Sequence, residues 1–479
     1  ELFFYHLFSS APMLLNGEIV QGEGTAFDVI NPSTGAVFAQ CQQCSEAQLN
    51  AAVAAARAAQ GAWAGTLLEQ RRAALKAAAA AVREVAAEVA ELLVKEQGKP
   101  LGGAKMELGA FSGVLEYFAG FQFAESEIIK DTAEEKVIQR RTPLGVVAGI
   151  LPWNAPIMLL GYKLAESVLF GNTVVLKPSP YTPLSTVAVA KAIAGVFPAG
   201  VVAVVTGTDA SGLPRWLVEH KDVDKVSFTG STRTGKAIQA ASAETLKKLT
   251  LELGGNDPAI VLADADIPST AAQVFGAAMR NSGQVCAAIK RCYVHESIKD
   301  EFVKALVAEA GKAKFGDGFG EGVTHGPLNN KAQFDRVKEL VEDAKAQGAV
   351  VAAGGVPEDG PGYLFPATVL TNVSDGHRIV DEEQFGPVLP VLGFQDDDDA
   401  VRRANASPYG LQGSVWTKDL EKGASLAARL EVGTAAVNQA ALLTPDVPFG
   451  GCKSSGYGRQ NAQGSLEGCT QLTVIRIKK

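Results

Sequence analysis

At 479 residues the chain exceeds what one hydrophobic core usually supports, so two or three domains are expected from size alone. Hydrophobic residues make up 47% and charged residues 20%, ordinary for a soluble globular enzyme and unlike disordered or membrane-embedded chains. The formal net charge of −8 argues against nucleic acid or an anionic membrane as a partner, since both call for basic surface. The cysteines, Cys41, Cys44, Cys286, Cys292, Cys452 and Cys469, are scattered and no secretory leader is recognisable, which reads as a reduced, cytoplasmic protein. Cys41 and Cys44 form a CxxC without a second pair or a nearby histidine, and the histidines are dispersed, so no bound metal is expected.

Taken in chain order, the opening ELFFYHLFSS is apolar but lacks a positive flank and is too short to cross a bilayer; no later apolar run reaches about 18 residues. Ser45 to Gln48 reads as a capping box that opens an Ala-rich helix through Ala59, and a longer helix is predicted from Leu67 to Glu96, stopped by Gly98 and Pro100. From Lys136 the run KVIQRRTPLGVVAGI predicts a strand or hairpin leading into a buried strand. Strands follow at Val146 to Ile150, Thr173 to Leu176, Val201 to Val205 and Lys225 to Phe228, with helix-compatible stretches between most of them. That alternation implies a doubly wound parallel sheet. A second series runs through Ala259 to Leu262, Arg291 to Val294, Ala367 to Leu370, Val388 to Leu392, Gly413 to Trp416 and Thr434 to Asn438, with helices at Ile298 to Ala313 and Lys331 to Gln347. It reads as a second α/β domain. The acidic run Asp396 to Asp399 is expected at a helix entry, where carboxylates favour the positive end of the helix dipole.

Two local patterns carry chemistry. In VDKVSFTGSTRTGKAI an apolar strand ends at Phe228 and a Gly- and Thr-rich turn leads into a helix, an arrangement that makes an anion site, although no GxGxxG is present. Gly230 and Gly235 permit close backbone approach and Ser231 supplies a hydroxyl. In NSGQVCAAIKR a lone thiol, Cys286, sits among small residues, with Glu252 upstream in ELGGNDP. A thiolate can add to a carbonyl and a carboxylate can activate water against the resulting thioester.

The motifs accumulate in a fixed order: MLLNGE, NPSTG, LPWNAP, GNTVVLKPSP, FTGSTRTG, ELGGNDP, SGQVC, EEQFGPVLPV and PFGGCKSSGYGR. In that order the chain resembles the NAD(P)-dependent aldehyde dehydrogenase superfamily over nearly its whole length. The resemblance implies an α/β fold with a Rossmann-like cofactor domain (1–125 and 144–251), an α/β catalytic domain (252–435) and a small β oligomerisation element with the tail (126–143 and 436–479). It further implies a homodimer or homotetramer, in which the C-terminal strand Gln471 to Ile477 adds to a neighbouring subunit's sheet.

Carried over position by position, the resemblance makes Cys286 the nucleophile, Glu252 the base for deacylation, Asn154 an oxyanion donor beside the Cys286 backbone amide, and Lys163 a lysine near the water path. It places Leu151, Pro152 and Trp153 along the cofactor groove, Lys177, Ser179 and Pro180 near the adenosine ribose, and Gly230, Ser231 and Gly235 at the pyrophosphate. Leu253 and Gly254 belong to the cofactor side, Glu383 to the nicotinamide ribose, and Phe385 beside the ring. The expected cofactor is NAD, with NADP the alternative: many NAD-preferring relatives carry Glu where this chain has Pro180. Positions similar to pocket walls are Ala155, Leu159, Tyr162, Val285, Ala287, Leu443 and Phe449, with no cation among them, which favours an uncharged aliphatic or aromatic aldehyde. The rival functions are a coenzyme A acylating relative, against which Glu252 argues, and a silent structural protein on the same scaffold.

Overall fold

Runs of Val, Ile, Leu and Ala that are apolar at every position form strands buried on both faces, the expected state of a parallel sheet flanked by helices. In the computed structural model, which describes residues 12–357, 360–440 and 443–479, two such sheets carry the fold. The opening ten residues lie outside the described ones.

Among the described residues, eight strands form the first sheet, in the order Glu18–Val20, Met13–Leu15, Val202–Val204, Thr173–Lys177, Val146–Ile150, Lys225–Thr229, Lys248–Glu252 and Gly456–Tyr457. The five central strands are parallel and the outer ones antiparallel. Seven strands form the second sheet, in the order Val350–Ala353, Thr368–Thr371, Val388–Phe394, Ile289–His295, Asp257–Val261, Gln412–Trp416 and Thr434–Val437, parallel except at its first pair. All ten strands expected between residues 146 and 438 are present. The hairpin Ser126–Asp131 and Glu135–Pro143 joins Thr470–Lys478 in a separate three-stranded sheet. That C-terminal strand pairs with its own chain along its whole length, from Thr470 opposite Pro143 to Lys478 opposite Glu135, and no strand among the described residues pairs with its other edge.

The helices follow their local signals, with one correction. Ser45 forms the capping box with Gln48 and starts the helix Glu46–Ala64, and Asp396 caps Asp397–Asn405 behind its run of acidic residues. The single helix expected from Leu67 to Glu96 is instead two, Leu68–Glu84 and Ala86–Gln97, broken at Val85 (φ −106°, ψ 7°). Helix-forming composition continues through the break, so propensity does not reveal it; the bend turns Val89, Leu93 and Val94 into the core beside the helix Leu101–Gly120. Gly98 then ends the second helix in the left-handed region at φ +95°. No described helix is long and apolar enough to cross a membrane.

At Gly98 a Cβ would lie 2.8 Å from the Pro327 ring and 2.9 Å from that of Pro32. Gly98→Ala is therefore expected to cost about 1–2 kcal/mol from the backbone conformation alone, with the ring contacts adding to it. The check is a urea titration, in which the variant unfolds at lower denaturant than the parent.

Candidate active site

The loop that carries Cys286 begins with three consecutive left-handed residues, Asn281 (φ 51°), Ser282 (φ 56°) and Gly283 (φ 73°), one residue past the helix Ile267–Met279. Two of them are not glycine, so the surrounding structure must impose the conformation. Ser282 donates to Gly326 O at 2.7 Å, Gln284 donates to Pro327 O at 3.2 Å and accepts from Asn329 N–H at 2.8 Å, and Asn281 donates to Asn154 O at 3.1 Å. The loop delivers Cys286, partly exposed, to the wall of a cleft. Burial of the sulfur pushes its thiol up to about 12, the Lys290 ammonium opposes this, and Glu383, Asp257 and Glu252 reinforce it. At neutral pH the resting group is the thiol.

Glu252 ends the strand Lys248–Glu252 and is buried, with no hydrogen-bond partner among the described residues on either carboxylate oxygen. Burial holds its carboxyl well above the ordinary range; Lys163 and Arg459 pull it back and Glu166 raises it further. Lys163, on the helix Pro156–Leu169, is itself buried, donates to Ser227 Oγ at 3.1 Å, and is pushed down to about 8 by burial. One turn on, Glu166 accepts from Ser465 Oγ at 2.7 Å and Asn461 N–H at 3.2 Å. Lys163, expected near the water path, thus belongs to a buried chain of charges that includes Glu166 and Glu252.

Asn154 is buried at the start of the same helix, and its side-chain amide donates to Gln284 O at 2.9 Å, two residues before Cys286. Its own carbonyl accepts from the Lys99 ammonium at 2.9 Å. Lys99 pairs with Glu107, whose other oxygen accepts from Ile157 N–H at 2.8 Å and Met158 N–H at 3.2 Å. A carboxylate at a helix N-terminus is favourable, and this buried pair fastens Asn154 from two sides.

The cleft, about 1290 Å³, lies along the carboxyl ends of the first sheet's strands, where open α/β sheets bind ligands. Its wall includes Leu151, Pro152, Trp153, Lys177, Ser179, Pro180, Gly230, Ser231, Leu253, Gly254, Glu383 and Phe385 together with Asn154 and Cys286. Gly230 is required because a Cβ there would collide with the Phe228 ring, and Ser231 caps the helix Thr232–Ser242 by accepting from Thr234 N–H at 3.2 Å. Gly235 is placed differently from the other glycine of that turn: it packs beneath Leu253, where a Cβ would lie 2.5 Å from a side-chain methyl. Lys177 donates to Pro178 O at 3.0 Å and is pushed down to about 8 by burial, with Asp209 opposing. A floor of glycines, a helix N-terminus and a carboxylate, Glu383, at the Cys286 end suit a dinucleotide.

Of the expected pocket residues, Leu159 and Tyr162 are buried in the core that Ala155 and Leu443 pack against, and Phe449 is buried where it bridges Gln460. Val285 and Ala287 flank Cys286 half-buried. Sequence reading missed Lys290, Glu166, Lys99 and Glu107. Each looks like a surface charge in the sequence, and its burial depends on partners distant in the chain.

The aldehyde dehydrogenase family profile matches residues 19–475. Aldehyde dehydrogenase 1 of Tanacetum cinerariifolium is 39% identical over 97% of this chain and 94% of its own, and a betaine aldehyde dehydrogenase of Rhizobium etli is 38% identical over 98% and 97%. Among solved structures, an aldehyde dehydrogenase mutant from Bacillus cereus superposes with a TM-score of 0.96 at 37% identity, covering 100% of this chain and 98% of that one. A Staphylococcus aureus betaine aldehyde dehydrogenase in complex with NAD+ gives 0.95 at 33%, covering 99% and 96%. The chain belongs to the aldehyde dehydrogenase family. It is an oxidoreductase of the NAD(P)-dependent kind, with the Rossmann-like and α/β architecture expected of that family.

The paired glycines of ELGG set the approach between sheet and loop. At Gly255 a Cβ would lie 2.6 Å from Cys286 O, so Gly255→Ala must push the Cys286 loop outward. Since a misplacement of about 1 Å can cost 100-fold, kcat/KM is expected to fall by about that factor while far-ultraviolet circular dichroism is unchanged. Wild-type kcat/KM in the variant would contradict the assigned constraint.

Proposed function

We propose that the protein oxidises an uncharged aliphatic or aromatic aldehyde to its carboxylate through a thiohemiacetal and then a thioester on Cys286. The observation that carries this reading is the buried, unpartnered carboxylate of Glu252 at the end of the strand whose following glycines abut the Cys286 loop. Lys177 and Ser179 would hold the adenosine ribose of the dinucleotide, Gly230 and the helix N-terminus its phosphates, and Glu383 the nicotinamide ribose, with Phe385 and Trp153 at the ring. When bound, that cofactor supplies the hydride acceptor.

The chain's own groups do the rest. Cys286, once deprotonated, forms a bond to the carbonyl carbon, and the Asn154 amide with the Cys286 N–H donates to the oxygen that becomes negative. After oxidation to the thioester, Glu252 takes a proton from water as its oxygen attacks the acyl carbon, the C–S bond breaks, and the carboxylate and thiol are released. Burial shifts both acids toward their neutral forms, so the reactive thiolate and carboxylate grow with pH. Lys163 limits how far Glu252 stays neutral, as its positive charge favours the carboxylate. The apolar pocket residues favour an uncharged substrate. A cationic aldehyde is the second reading, because Asp446 and Glu166 both bear electrically on Tyr162 and close relatives are betaine aldehyde dehydrogenases.

The assay is reduced-cofactor absorbance with hexanal, benzaldehyde, betaine aldehyde and succinate semialdehyde, with and without coenzyme A. Hexanal and benzaldehyde are expected to lead, coenzyme A to be unnecessary, Cys286→Ala to be inactive, and Asn154→Ala to lose about 100- to 1000-fold in kcat. Preference for succinate semialdehyde, or turnover only with coenzyme A, contradicts the reading.

Pro180 offers no carboxylate against a 2′-phosphate, and Lys177 stands on the same cleft wall. Discrimination between NAD and NADP is therefore expected to be weak. The ratio of their kcat/KM values should stay below about 1000, roughly 4 kcal/mol, and a larger preference for NAD rejects this.

We further propose that the sheet formed by Ser126–Asp131, Glu135–Pro143 and Thr470–Lys478 mediates assembly into a homodimer or homotetramer. Its open edge and the exposed Ile128, Ile129, Leu472, Val474 and Ile477 support this.

A further inference from the structure

Lys290 lies on the strand Ile289–His295, just past the nucleophile loop, and its ammonium is buried. It donates to Val285 O at 2.9 Å and Cys286 O at 2.7 Å, stands 3.5 Å from a Glu383 carboxylate oxygen, and lies 6.0 Å from the centre of the Phe385 ring. A buried ammonium is costly unless it is paired and hydrogen-bonded. Here its two shortest hydrogen bonds go to the carbonyls on either side of the Cys286 Cα, with Ala288 O a longer third acceptor at 3.5 Å. The Val285–Cys286 peptide is trans, so its C=O and N–H point in opposite directions. Holding Val285 O toward Lys290 turns Cys286 N–H away from it, and an amide whose own carbonyl accepts from a cation is polarised into a better donor.

We propose that Lys290 is a positioning residue for the reaction: it locks the Val285–Cys286 peptide with its N–H presented to the substrate oxygen, and it sets a fixed positive charge behind the sulfur. The proposal rests on reading Cys286 as the nucleophile. The groups bearing on that sulfur are Lys290, which favours the thiolate, and Glu383, Asp257 and Glu252, which oppose it. Because Lys290 also faces Glu383, the same ammonium joins the nucleophile to the ribose end of the cofactor cleft.

The test is carbamidomethylation of Cys286 by iodoacetamide in the full chain without cofactor, followed by mass spectrometry from pH 7 to 10. At pH 8 Lys290→Met is expected to react at least about tenfold more slowly than the parent, and Lys290→Arg, which keeps the charge, within about threefold of it. Lys290→Met reacting like the parent overturns the charge assignment, as does an equal slowing in both variants. With hexanal and NAD+, kcat of Lys290→Met should fall about 100-fold, the loss of one oxyanion donor, and an unchanged kcat overturns the peptide lock. Should Lys290→Met not yield folded protein, Glu383→Gln decides: removing the opposing charge should speed alkylation, and an unchanged or slower rate overturns the proposal. Retained turnover in Cys286→Ala would instead sink the nucleophile reading, which alkylation rates do not address.

Discussion

Everything in the site depends on how closely the Cys286 loop approaches the end of the strand Lys248–Glu252. A side chain at Gly255 would block that approach at the Cys286 carbonyl, and one at the preceding Gly254 would meet the Glu383 carboxylate. Gly255 N–H also donates to Glu383 at 3.0 Å. One short segment thereby joins a carboxylate of the first sheet, a thiol on the loop leading into the second, and Glu383. The left-handed residues Asn281 and Ser282 are the conformational cost of that approach, offset by the hydrogen bonds that anchor them.

The same closeness governs the electrostatics. Cys286 and Glu252 are both driven toward their neutral forms by burial, and the groups that oppose this are cations buried beside them, Lys290 and Lys163. Neither cation is free to leave, since Lys290 is tied to two backbone carbonyls and Lys163 to Ser227. Such charges act as fixed parts of the framework. They stabilise charge that develops during a reaction without having to reorganise.

Parallel strands such as Val146 to Ile150 were legible because they are apolar at every position, and the helix entries at Ser45 and Asp396 because their side chains cap neighbouring amides. The strand Lys248–Glu252 was not: KLTLE is short, with a polar start exposed at the sheet's margin. The helix Leu101–Gly120 was hidden by its glycines, of which Gly102, Gly109, Gly113 and Gly120 face open space; the close approach of its Phe111 is made by Gly161 of the helix Pro156–Leu169. Cys286, Glu252 and Asn154 were recognised through motif order, and their convergence is a matter of topology that local pattern does not contain. Lys290 and the Lys99–Glu107 pair escaped because a charged residue looks solvated until its distant partner is known.

The central claim is that acyl groups pass through the Cys286 sulfur and leave through water activated by Glu252. Mass spectrometry of Glu252→Gln after incubation with hexanal and NAD+ tests it most directly. The account predicts one hexanoyl group per chain, on the peptide containing Cys286, formed together with one equivalent of reduced cofactor. Reduced cofactor without that adduct, or an adduct on another residue, would contradict it.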